Sequence, residues 1–221
     1  MNKEWSELNK TFQLQLKKEE TYKDGIATLL KLREKLMQVM EDLKSRYTRE
    51  EFNAIPFINA DGYHSKTMAY SIWHIFRIED ITANMLIADD DQVFFAGDYK
   101  ERINSPIITT GNELVKEQIS DFSKQLNLDE LYLYAEEVKS HTESMLNYLS
   151  YDSLKKKVSY EMKEKLKGSK VVSEYENAVW LIDYWCGKDI RGLIQMPFSR
   201  HWIMHTEACL RIADKLDKQH K

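Results

Sequence analysis

The chain is poor in the residues that punctuate tight turns, with three prolines and seven glycines in 221 residues. Many short strands joined by tight turns need more of both, which argues against an all-β sandwich or barrel. Two cysteines cannot build a disulfide framework, and together with nine methionines they suit a reducing compartment, so the cytoplasm is the expected location. No apolar run reaches the length of a membrane span. The opening MNKEWSELNK has no apolar stretch of the secretory kind. Positive charge is not in excess: 32 Lys and Arg against 36 Asp and Glu leave a net −4. A partner recognised through bulk phosphate charge, nucleic acid above all, is therefore not expected.

Several site signatures are missing as well. There is no G-x-x-x-x-G-K-[ST], no G-x-G-x-x-G and no G-x-S-x-G, so phosphate-cradling loops and the nucleophile elbow find no support. No histidine falls three residues after a glutamate, which removes the E-x-x-H of di-iron helical bundles. The run of Lys155, Lys156 and Lys157 with Lys163, Lys165 and Lys167 reads as a solvated helix face.

What the chain does have is helical periodicity. Trp5, Leu8, Phe12 and Leu16 are spaced by three and four, predicting an N-terminal helix with Gly25 marking its end. Ile26, Leu29, Leu30, Leu36, Val39, Met40 and Leu43 predict a long core-facing helix. Thr48 to Glu51 has the shape of a capping box. A loop over 55–66 precedes a strongly apolar helix, capped by Ser65 or Thr67 and running to about Ile87. Residues 93–110 read as loop with a helical turn, and short helices are expected over 112–124 and 151–167. Between them Asp129 is expected to cap a helix to about Leu149. An aromatic helix begins near Ser173, and the last opens after Pro197 and runs to about Leu216. With no repeat and no Gly/Ser linker, the expectation is one all-α domain over 1–221, its core bundle within about 26–216.

The histidines carry the functional reading. His201 and His205 are four apart on the last helix and share the stripe of Phe198, Trp202, Cys209, Ile212 and Leu216, the only apolar face that helix has. His74 sits midway along the most apolar helix. A lone inward histidine is more often a core residue bonded to a carbonyl or carboxylate. Three inward imidazoles left unpaired would each cost about 1–3 kcal/mol, whereas a divalent metal accepts a lone pair from each neutral ring. His141, His64 and Cys209 are weaker ligand candidates, and His220 lies in the tail. Glu79 and Asp80 on the His74 helix, and Glu207 on the last, are candidate proton carriers or partners of the ligands. Tyr70, Trp73, Trp180, Trp185 and Trp202 are candidate pocket walls, and Arg77 and Arg200 candidate receivers of a carboxylate.

With His74 in SIWHIFRIED and His201 and His205 in MPFSRHWIMH, the sequence resembles the DinB/YfiT-like family of four-helix bundles. That family places one histidine on the second long helix and an H-x-x-x-H pair on the last. The extra N-terminal helix, the longer insertion over 93–127 and the aromatic segment before Pro197 depart from its pattern. The resemblance implies a four-helix bundle whose three histidines hold a divalent metal, zinc or nickel, with positions left open. It also implies thiol S-transferase activity of the bacillithiol type on a small-molecule substrate, and frequent homodimers. Metal-assisted hydrolysis is the first alternative. A non-enzymatic, stress-associated binding or helical interaction protein is the second.

Overall fold

The computed structural model describes residues 2–220, whose regular elements are all helices, with no strand among them. Helix α1 spans Lys3–Gln15, opened by the Asn2 side chain, which accepts from the backbone of Glu4 and Trp5. Helix α2, Tyr22–Arg46, turns back along it. Gly25 lies inside α2 and does not end the first helix. A Cβ there would sit 3.1 Å from Gln15 Cβ and from the Leu16 backbone nitrogen, so the glycine lets the two helices approach closely. The Thr48–Glu51 capping box is present and opens the short α3, Arg49–Phe52.

Helix α4, Met68–Asp80, is capped by Thr67, whose hydroxyl accepts from Tyr70 N, and every one of its residues is buried. It continues as a wider π-helical stretch, Ile81–Ala88, that stops where Asp89 takes a left-handed conformation. Short helices α5, Val93–Ala96, and α6, Tyr99–Arg102, occupy the segment expected to be mostly loop. Helix α7 covers Glu117–Gln125, leaving Leu114 and Val115 outside it. Helix α8, Leu128–Tyr148, is capped by Asn127 and not by Asp129. The side-chain oxygen of Asn127 reaches the amides of Asp129 and Glu130, while Asp129 itself pairs with Lys44.

The stretch expected as one helix over 151–167 is broken into a 3-10 turn, Asp152–Lys155, and α9, Tyr160–Ser169, which Ser159 caps. Its lysines form the solvated face expected of them, for Lys163 meets Asp183, Lys165 meets Asp89 and Lys167 meets Glu164. Helix α10, Glu176–Cys186, starts later than Ser173. After α11, Ile190–Gln195, a π-helical turn over Met196–Arg200 leads without a break into α12, His201–Gln219.

Helix α4 packs against α8 and α12, and α2 packs against α1, α8 and α12. A large apolar cluster fills the space between these helices. A second cluster joins the C-terminal part of α4 and its π extension to α9, α10 and α11 through Ile78, Met85, Leu166, Leu181, Trp185 and Leu193.

Two buried polar knots fix how α4 sits. Glu79 receives two bonds from the Arg33 guanidinium, at 2.7 and 2.8 Å, and one from the Trp202 indole at 2.6 Å, linking α2, α4 and α12. Asp80 accepts from Tyr134 on α8 and from the backbone amides of Val93 and Phe94, while Arg77 donates to it and to the Ile108 carbonyl. Charges this deeply buried persist only when paired and hydrogen-bonded, and these partners supply that for all but the Arg77 Nε, which has no partner among the described residues.

Candidate functional site

His74 is held in place by its neighbours along α4 and by the loop over it. Its Nδ1 lies 2.7 Å from the Thr110 carbonyl oxygen. A carbonyl only accepts, so Nδ1 carries the proton and Nε2 keeps its lone pair. One turn earlier, the Tyr70 ring stacks on the imidazole, with centroids 5.3 Å apart and planes 14° from parallel. The Tyr70 hydroxyl donates to the Gly111 carbonyl at 2.9 Å, tying the same loop down a second time. Gly111 has φ +76, and a Cβ there would sit 3.0 Å from the Tyr70 ring, so both its backbone and its contact require glycine.

His201 and His205 occupy the first two turns of α12, directly after the π-helical turn that contains Pro197. Such turns are frequent where a helix must re-aim side chains at a functional site. The three rings form a nearly equilateral triangle. Centroids are 4.9 Å apart for His74 and His201, 4.8 Å for His74 and His205, and 4.6 Å for His201 and His205. One ligand nitrogen from each lies within 4.8 Å of the other two, and all three residues are buried.

Burial disfavours the charged ring. It pulls the His74 imidazole down to about 4, against the opposing pull of the Thr110 bond, and takes His201 and His205 well below the usual histidine range. Each imidazolium would also repel its neighbours in the triangle. At neutral pH the group is therefore three neutral rings with lone pairs, the donor set a divalent transition metal takes. The Nδ1 of His201 is buried with no hydrogen-bond partner among the described residues. An unsatisfied buried nitrogen beside two other imidazoles fits an arrangement that can hold a metal ion. His74 also has the outer carbonyl partner that orients a metal-binding histidine.

The triangle faces a cavity of about 410 Å³, within the range of small-molecule sites. Tyr70 and Trp185 line it, as does Trp180. The other candidates lie elsewhere. Trp73 packs edge-on to Phe94 and Phe122 in the main core. Trp202 is buried against Phe76, with the Arg33 guanidinium 4.3 Å from its ring. Arg200 is exposed and Arg77 is locked in the Asp80 knot, so neither lines the cavity.

Glu79 and Glu207, the candidate catalytic groups, both lie away from the cavity. Glu79 lies five residues beyond His74, on a different side of α4, where it is tied to Arg33 and Trp202. Glu207 accepts from the Asn2 backbone at the start of α1. Neither contributes to the cavity wall. Cys209 stays outside the histidine group; burial pushes its thiol up to about 12. His141 is exposed, and His64 lies beside Arg211.

Sequence reasoning missed Lys66, Tyr184, Met196 and Met204, all of which line the cavity. Lys66 was detectable, since Lys66, Tyr70 and His74 repeat at intervals of four. The other three depend on how α10 and the π-helical turn fold over the site.

What the fold and site define is an all-helical protein with a buried three-histidine group able to hold a metal ion. No protein-family model matches the chain, and no curated protein matches it. No helix of the described residues is long and apolar enough to cross a membrane.

Proposed function

We propose that this chain is a metal-dependent enzyme of the DinB/YfiT-like kind, with α2, α4, α8 and α12 as its four-helix bundle. His74, His201 and His205 would hold a divalent ion, zinc or nickel, and the reaction would transfer a low-molecular-weight thiol to a small electrophile. One observation carries this reading: three neutral imidazoles from two helices converge at the wall of a cavity large enough for a small molecule. The order of the helices and the packing of α4 and α2 against α8 and α12 support the family reading.

Among the described residues the ligand group has three members, whereas structural zinc is normally closed by four protein ligands. His74, His201 and His205 would hold the ion, which when bound would supply Lewis acidity, lowering the pKa of a neighbouring thiol or water. The chain's own residues do the rest. Thr110 fixes the tautomer of His74, and burial keeps the three rings unprotonated. The walls from α4, α10 and α12 displace water and present an apolar surface to the substrate body.

The test is consumption of 1-chloro-2,4-dinitrobenzene in the presence of a small thiol. In that reaction a carbon–sulfur bond forms, chloride leaves with the carbon–chlorine electron pair, and the thiol proton passes to solvent. Metal-loaded protein is expected to accelerate it, and chelator to abolish the acceleration. Failure with every thiol and electrophile tried removes the transferase reading. Metal-dependent ester hydrolysis in its place would move the assignment to a hydrolase.

A further inference from the structure

The cavity beside the histidines has an uneven charge. Its lining contains one side chain with a formal charge, Lys66, and no aspartate or glutamate. Several other half-buried lysines meet acids: Lys139 reaches Glu34 and Glu143, Lys163 reaches Asp183, and Lys44 reaches Asp129. Lys188, over the Tyr184 ring at 4.1 Å, is an exception that does not line the cavity. Lys66 instead lies over the Tyr70 ring, its Nζ 4.8 Å from the centroid. Burial alone lowers its ammonium to about 8, with no carboxylate holding it up. It therefore remains largely cationic at neutral pH, with no anionic partner among the described residues.

The rest of the wall is apolar. Trp185 is buried, and Trp180, half exposed, stands at the rim with its ring 5.5 Å from that of Tyr184. Leu181, Met196 and Met204 complete a surface suited to a flat hydrocarbon body.

We propose that the ligand of this cavity is a singly charged organic anion, a carboxylate or sulfonate on an apolar or aromatic body, and that Lys66 is the residue that recognises its charge. A cationic ligand has no counter-charge in the cavity and meets Lys66 as a like charge. A neutral one leaves the ammonium half-buried and unpaired. An anion supplies the missing partner, and a lone lysine matches a single negative charge better than a polyphosphate, which takes several donors. The inference rests on the proposed function in one respect, that this cavity is where the substrate binds. It does not require the metal.

The experiment compares two dyes of the same shape in chelator-treated protein: the anionic 8-anilinonaphthalene-1-sulfonate and the uncharged N-phenyl-1-naphthylamine. Binding is read by quenching of tryptophan fluorescence, with Met204→Trp as the variant that fills the cavity and displaces both. Lys66→Met is expected to weaken the anionic dye by roughly tenfold or more, the value of one charge-assisted hydrogen bond. The neutral dye should be unaffected, and Lys66→Arg should keep the preference. The inference is overturned if Lys66→Met binds both dyes as the wild type does, or loses both equally. It is also overturned if folded wild type binds neither dye, or if Met204→Trp displaces neither. Thermal melting of each variant establishes that it is folded, and the Arg variant carries the test if the Met variant is not. Metal content is measured on the same preparations. A chain with the charge preference but no metal sinks the proposed function alone, and a chain with metal but no preference sinks this inference alone.

Discussion

Replacing Glu79 by glutamine separates a structural acid from a catalytic one. Glu79 and Arg33 are both fully buried, joined by two bonds of 2.7 and 2.8 Å, and the second Glu79 oxygen also takes the Trp202 indole at 2.6 Å. The amide puts an NH2 group where one oxygen was, facing either the guanidinium or the indole, both of which only donate. Breaking a buried ion pair by neutralising one partner costs about 3–5 kcal/mol. Here Glu143, 3.1 Å from Arg33 Nε, and the Phe198 carbonyl at 3.2 Å still serve the guanidinium. The loss should therefore fall near the lower end, about 3 kcal/mol.

A domain stabilised by roughly 5–15 kcal/mol stays folded after that loss, so urea unfolding can measure it as a lower midpoint at unchanged slope. The double variant Arg33→Met/Glu79→Leu removes both charges and should be more stable than Glu79→Gln alone, because no buried charge is stranded. Metal content should match the wild type in every case. Were Glu79→Gln as stable as the wild type yet inactive, the placement of Glu79 in a structural knot would be wrong and a proton-carrying role restored.

Asp80→Ala should cost about 3–5 kcal/mol by stranding Arg77. It should also free the amides of Val93 and Phe94, seen as accelerated hydrogen exchange confined at first to 93–96; protection equal to wild type would contradict this. Lys66 should acylate with half-maximal reactivity near pH 8, being protonated and inert below and nucleophilic above. A free lysine side chain in a model peptide titrates near about 10.4, and a Lys66 profile that coincides with that of such a peptide would refute its desolvation. Gly25→Ala gains about 1 kcal/mol of helix propensity but forces a Cβ against α1. Overpacking of this kind costs about 1–3 kcal/mol, so a net loss of about 1 kcal/mol is expected by chemical denaturation, and a gain would mean α1 yields freely.

The long helices were legible because their apolar residues recur at three and four and because local caps are short-range chemistry. Thr67 and the Thr48–Glu51 box act within three residues of themselves, so the chain announces them. Gly25 misled because a glycine that ends a helix and one that lets a neighbouring helix approach are the same letter; only the return of α2 along α1 separates them. Asp129 misled for a similar reason, since Asn127 two residues earlier is an equally good cap and Lys44 claims the aspartate. The three histidines were legible as inward-facing residues on two helices, and their meeting is a tertiary fact that periodicity anticipates. Periodicity does not say which acids reach them. Glu79 shares a helix with His74, but its distance around that helix hands it to Arg33 and Trp202. Trp73 and Trp202 were indistinguishable from Trp185 in the sequence, because a core face and a cavity wall are built from the same residue types.

The measurement that bears most directly on the centre of the account is the metal content of purified protein set beside that of the His201→Ala/His205→Ala double variant. Wild type should carry about one transition-metal ion per chain, through its three-imidazole group, and the variant, still folded by circular dichroism, should carry none. Equal content in the two would contradict the account, because the ion would then sit somewhere other than among these three rings.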